Sequence, residues 1–229
     1  MLTVKLILER LDKEGRLLER REQQSKSFVK NFISLLYCAH AQILAAAPYS
    51  ITDITGVVRT VDSQAAESPP HYTKANLMVG SAPGSSGVFC ISGKEGSATG
   101  DFRPHQTTIE GSKIGTQVGT GVVAVTPTDT ALATRILHGR AAGQLEYGGC
   151  ELVGITFANP NGQFTIRRYF TNNSGGSITV NEVGIHAVGT DYDNKYAWAF
   201  LIARDIVAGG VAVANTEILR VTYVPQITV

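Results

Sequence analysis

The chain predicts a mainly β protein: an antiparallel β-sandwich or jelly-roll-like domain with one packed N-terminal α-helix and an extended arm. Three observations carry this. Short runs rich in Val, Ile and Thr recur between clusters of Gly, Asn, Asp and Pro, as strands and their turns do. Only one stretch, near the N-terminus, keeps a helical period. With 24 glycines and 7% aromatics, the composition is that of a turn-rich β protein. At 229 residues the chain is long enough to bury a core as one domain with an appendage.

The elements divide as follows: residues 1–24 an arm or hairpin, 25–48 the helix, 49–120 loop-rich with an insertion at 62–117, and 121–229 the β-sandwich core. Residues 2–24 fit two patterns. As a hairpin, Val4, Leu6 and Leu8 line one face and Asp12-Lys13-Glu14-Gly15 turns the chain; as a helix, Ile7, Leu11 and Leu18 share a stripe, against the cost of Gly15. The hairpin is preferred. From Ser25, Phe28, Phe32, Leu35, Leu36, Ala39 and Ile43 recur at helical spacing, Ser25 or Ser27 can cap, and Pro48 stops the helix. Residues 49–120 lose the period and read as extended pieces held partly by other subunits. Beyond them, Gly121–Val125 reads as a strand, Thr126-Pro127-Thr128-Asp129 as the start of a helical turn, and strands follow to the end.

The best anchored stretch is Gln163–Gly184, which reads as a β-hairpin in the middle of the core. Phe164, Ile166 and Phe170 share one parity, Asn172-Asn173-Ser174-Gly175-Gly176 reverses the chain, and Ile178 and Val180 resume a β arm. Asn and Gly accept positive φ cheaply, so that cluster is turn chemistry.

A net charge of +1 gives no field that would draw a nucleic acid, and the most apolar window, residues 28–47, is broken by Lys30, Asn31 and His40. No membrane span and no nucleic-acid partner are expected. The charges inside MLTVKLILERL argue against a signal peptide. Cys38, Cys90 and Cys150 are odd in number and widely spaced, which suggests reduced thiols rather than a disulfide framework or a zinc site. Gly119-Thr120-Gly121-Val122-Val123-Ala124 spells G-x-G-x-x-A, but the β-branched residues and Pro127 behind it are not a helix opening on a phosphate. Ser27-Phe28-Val29-Lys30 spells S-x-x-K without the motifs that accompany it in serine acyltransferases. The histidines His40, His71, His105, His138 and His186 have no metal-ligand spacing, so no catalytic residue, metal or cofactor is expected.

Charges inside strands say more. Arg168, Glu182, Arg204 and Asp205 sit among apolar neighbours, where a charge persists only if paired or at an interface. They predict an ion-pair cluster at a sheet edge or subunit contact.

Four segments together resemble virion structural proteins of tailed bacteriophages: SKSFVKNFISLLY (25–37), VGTGVVAVTPTDTALATRILHG (118–139), FTIRRYFTNNSGGSITVNEVGI (164–185), and LIARDI (201–206) with the closing LRVTYVPQITV. The resemblance implies a non-enzymatic structural subunit at the tail, neck or capsid surface, present in multiple copies in the virion and assembled in the host cytoplasm. Its partners would be copies of itself and other virion proteins, joined through the arm and the insertion. The alternative is a receptor- or glycan-binding module of the particle, with Tyr72, Tyr192, Tyr196 and Trp198 as candidate contacts to a host glycan.

Overall fold

The computed structural model describes residues 2–25, 28–41, 49–61, 111–190 and 197–228. Over these residues the protein is mainly β, with antiparallel sheets and one short helix. In chain order the elements are β1 (Leu2–Leu11), β2 (Leu17–Ser25), α1 (Lys30–Ala41), β3 (Tyr49–Thr52), β4 (Val58–Val61), a 3-10 turn (Gly111–Lys113), β5 (Gly115–Gly119), β6 (Glu146–Ala158), β7 (Asn161–Thr171), β8 (Ile178–Thr190), β9 (Ala197–Val213) and β10 (Ile218–Thr228). The strands make a five-stranded sheet in the order β2-β1-β10-β7-β6, a three-stranded sheet β5-β8-β9, and the small hairpin β3-β4. Both large sheets are open. One buried cluster draws on both, with Leu6, Leu8, Ile166, Phe170, Leu219 and Tyr223 from the larger and Val183, Ile185, Phe200 and Ile202 from the smaller.

The N-terminal residues form the hairpin. Asp12 turns the chain: its backbone carbonyl accepts from Gly15 N–H, its carboxylate from the N–H groups of Glu14 and Arg16, and Gly15 takes a φ of 82°. Yet this hairpin is not an arm. Strand β1 pairs with β10 from Leu2↔Ile227 to Leu11↔Ile218, and Val4, Leu6, Leu8 and Leu11 are buried. A period-two apolar face has to be buried somewhere, and here it is the chain's own core that buries it.

Helix α1 begins later than the sequence suggested, at Lys30, and positions 42–48 lie outside the described residues. Ser25 does not cap it. It ends β2 and donates its hydroxyl to Asp205, while the helix's first N–H groups reach the carbonyls of Ile202 (from Val29) and Pro127 (from Lys30). Leu35 is buried, as is Asn31, which donates to the Thr52 carbonyl.

Three expectations fail at the element level. Gln163–Gly184 is not a hairpin: β7 pairs with β10 and β6, and β8 with β5 and β9, so the two arms belong to different sheets. Asn172–Gly176 is the crossing between them. Asn172 is buried, exchanges backbone hydrogen bonds with Thr216 and Glu217, and donates its side-chain amide to the Gly176 and Val213 carbonyls. Gly175, at φ 83°, donates its N–H to the Asn215 side chain. These bonds steer the chain across the core rather than back along the same sheet.

Second, Phe164 is not a core residue. It shares the face of buried Ile166 and Phe170 but is itself exposed. Ile178 and Val180 are buried as expected. Third, Gly121–Val125 is not a strand, and Val122 and Val123 are among the most exposed apolar residues. The strand is instead Gly115–Gly119, buried throughout, so the expected boundary at 120/121 and the insertion at 62–117 both cut through the smaller sheet. Residues 62–110 lie outside the described residues.

Candidate functional site

Two features stand out above the scaffold. The first is a buried clamp beneath the irregular segment 119–139. Glu182, on the central strand of the smaller sheet, is fully buried and accepts from Arg204 Nε at 2.8 Å, from the N–H of Thr134 at 2.7 Å and Ala133 at 3.0 Å, and from Gly121 N–H at 3.2 Å. Arg204 continues the network to Asp129 at 2.6 Å and to the Val123 carbonyl at 2.9 Å. Burial works against the Arg204 charge, but its bonds to Asp129 and Glu182 outweigh that and raise its pKa. Asp129 is likewise opposed by burial and lowered on balance, by Thr126 and Arg204.

The Gly-Thr-Gly that mimics a phosphate loop has its reason here. A Cβ on Gly119 or on Gly121 would stand 2.5 Å from the Glu182 carboxylate. Only glycine lets the backbone come that close. The clamp therefore holds a loop whose outer surface carries exposed Val122, Val123 and Leu137.

The structure brings two of the four residues of the predicted cluster, Glu182 and Arg204, into one ion pair. Glu182 and Arg204 meet buried inside the chain, Glu182 on the central strand β8 and Arg204 on the neighbouring edge strand β9 of the smaller sheet. Arg168 sits in the other sheet and donates to the carbonyls of Gly148, Ile114 and Thr116, tying β6 to the segment around β5, with the Tyr147 ring 4.9 Å away. Burial pushes its pKa down. Asp205 accepts the hydroxyls of Ser25 and Tyr223 at 2.7 and 3.1 Å, joining β9 to β2 and β10. Burial first, then Asp205, pushes the Tyr223 phenol well above its ordinary range, so it remains a donor.

The second feature is the far end of the β6–β7 ribbon. Leu152 stands opposite Ile166, Ile155 opposite Phe164, and Phe157 opposite Gly162, which is also the partner of Ile227 on β10. Directly opposed residues of antiparallel strands share a face. The ring of Phe157 accordingly lies 3.1 Å from where a Cβ on Gly162 would be. Leu152, Ile155, Phe157, Phe164 and Ile227 thus extend the core face of the five-stranded sheet past the point where any other described element covers it; Phe157 is 79% and Ile155 65% exposed. No residue from Leu152 to Ile166 is ionisable. The charges next in sequence, Glu151 and Arg167, face the other side of the sheet and pair with each other at 2.9 Å. The opposite edge strand, β2, is lined instead with Glu19, Arg20, Arg21 and Glu22 in ion pairs, the usual protection of a free edge. Sequence reasoning missed this end because the same alternation that marks a core strand marks a strand whose face runs on uncovered.

Of the glycan candidates, Tyr72, Tyr192 and Tyr196 lie outside the described residues. Trp198 packs against the core with the Arg59 guanidinium 3.3 Å from its ring centroid, and Arg59 is held there by buried Asp53 at 2.7 Å. Cys150 is a buried thiol that accepts the Thr116 N–H at 3.4 Å, and among the described residues no group of three His, Cys, Asp or Glu side chains could hold a metal ion. No helix among them is long and apolar enough to cross a membrane.

What the geometry defines is a class: a mainly β scaffold with an internal ionic clamp and an uncovered apolar sheet end. Compared with protein-family models, curated proteins and solved structures, the chain has no match that would narrow it.

Proposed function

We propose that the chain is a non-enzymatic structural subunit of a tailed-phage virion, present in multiple copies at the tail, neck or capsid surface. The observation that carries this reading is the exposed sheet end: an apolar face without charge is a surface for contact with another protein. The clamped segment 119–139 supports it, because ionic anchoring inside the subunit holds exposed Val122 and Val123 in one arrangement. The motif resemblance of the helix, the Gly-Thr-Gly segment, the Asn-Asn-Ser-Gly-Gly crossing and the closing strands supplies the virion setting. We read the two open sheets, whose inner side chains share one core, as a sandwich left open at the β6–β7 end. Partners are then copies of the chain and other virion proteins, met through that end instead of through an N-terminal arm. The virion, assembled in the host cytoplasm, is the location this reading assigns.

The test is to locate the chain. Epitope-tagged protein followed by immunogold electron microscopy on purified particles should give label at a fixed position on every particle. Particles that form and infect normally without the chain would end the proposal.

A further inference from the structure

We propose that the uncovered end of the five-stranded sheet is the contact between two copies of this chain, packed face to face through Leu152, Ile155, Phe157, Phe164 and Ile227. The proposal deepens the structural-subunit reading and rests on it only for the presence of several copies. Three observations select a second copy as the occupant. The first is chemical. Between Leu152 and Ile166 there is no ionisable side chain, and Glu151 and Arg167, next to it in sequence, lie on the other face of the sheet and pair with each other. An acidic or basic partner, a nucleic acid included, would find no countercharge, whereas a second copy brings an equally neutral face and buries no unpaired charge.

The second is geometric. The five side chains lie on one face in register across three adjacent strands, β6, β7 and β10, and continue the face whose inner part holds Ile166 and Tyr223 in the core. A flat apolar sheet face is matched by another sheet at about 10 Å, which is how the inner part is already covered. A twofold axis sets this patch against itself, so the contact closes at two subunits.

The third is size. Taking a full aromatic side chain at about 200 Å², the five residues present on the order of 600 Å² of apolar surface. That is at the upper bound of about 300–600 Å² for the largest patch on a typical monomer. Two such faces together bury about 1,200 Å², the lower limit of a specific stable interface. The highly charged β2 edge, carrying Arg20 and Glu22, offers no comparable surface.

The experiment is sedimentation velocity on the full chain over a micromolar concentration series. The expected result is a reversible monomer–dimer equilibrium that Ile155→Asp with Phe157→Asp weakens by more than about a hundredfold, since each copy would bury two unpaired carboxylates. Both positions are largely exposed, so far-UV circular dichroism should not change, and neither should the thermal midpoint at a concentration low enough for the unsubstituted chain to be monomeric. Ile33→Asp, on the exposed face of α1, should leave the dimer intact. A chain that stays monomeric at tens of micromolar overturns the proposal, as does a dimer that survives the double substitution or is broken by Ile33→Asp. Monomer that instead binds neutral phosphatidylcholine vesicles through Phe157 also overturns it. A monomeric chain still found at a fixed place in particles would remove this contact while leaving the structural-subunit reading standing.

Discussion

Glu182 takes four donors into a site without water access, three backbone N–H groups from 119–139 and the Arg204 guanidinium. Glu182→Gln keeps the shape but turns an NH2 towards donors and strips Arg204 of its buried counter-charge. It should cost about 3–5 kcal/mol, the usual penalty for breaking a buried pair by removing one partner. Urea denaturation of the purified variant checks this; a loss below about 1 kcal/mol would mean that the segment is held by other contacts. His186 makes a different claim. It is fully buried, its Nδ1 lies 3.0 Å from the Lys113 carbonyl and so carries the proton, and its Nε2 has no hydrogen-bond partner. Burial, reinforced by Arg135, pushes its pKa down to about 3. Because the folded value lies below the unfolded one, the unfolded chain takes up the proton first, and stability falls as pH drops below about 6.5. At pH 5 the loss relative to pH 7.5 should be about 2 kcal/mol from this residue, and His186→Gln should remove most of it. The lowered carboxylates Glu9, Asp53 and Asp129 act in the same direction only at lower pH, as protonation reaches their unfolded values. A flat urea midpoint from pH 7.5 to 5 would show that His186 is not held neutral. That a charge at Glu182 or Arg204 must be paired was legible from its apolar neighbours. That the partners of Arg168 are backbone carbonyls, and that Gly119 and Gly121 are there to approach a carboxylate some sixty positions on, was not, because neither leaves a local pattern.

At the scale of elements, the β1–β2 hairpin was legible, since Asp12 to Gly15 spell a turn between two alternating runs. Its place was not, because alternation gives the period of a strand and says nothing of its neighbour. Strand β1 lies between β2 and β10, and Glu9 binds Arg220 at 2.7 Å while Arg10 binds Glu217 at 3.0 Å. Arg21 and Gln23 on β2 donate to the carbonyls of Ala208 and Ile206, lacing the hairpin to β9 as well. Deleting residues 2–25 should therefore leave no folded remnant: Leu219, Val221 and Tyr223 lose their cover and β10 becomes a bare edge. The expected outcome is insoluble protein, or soluble protein without a cooperative thermal transition. A deletion product that melts cooperatively near the full chain's midpoint would restore the reading of these residues as a detachable arm. The Asn-Asn-Ser-Gly-Gly segment teaches the same lesson from the other side: its residues announce a reversal, and only the burial of Asn172 and its bonds to Val213, Thr216 and Glu217 decide that the reversal crosses between sheets.

For the molecule as a whole, class was legible and closure was not. The spacing of short strands is enough for a mainly β protein with one helix; which strands share a sheet depends on pairings such as Leu6↔Tyr223 and Val183↔Asp205, between residues with no common local signal. The pairing of β1 with β10 also sets an order of events during synthesis. Glu9 and Arg220 are 211 positions apart, so β1 leaves the ribosome long before the main neighbour it pairs with exists. In the interval Leu6 and Leu8 stand on a charged two-stranded ribbon, while β6 and β7 can pair as soon as they emerge. Such a topology is slow to close, because the longest loop has to be drawn shut before its contacts repay the entropy. The five-stranded sheet thus closes late and nearly all at once, when β10 slides between β1 and β7.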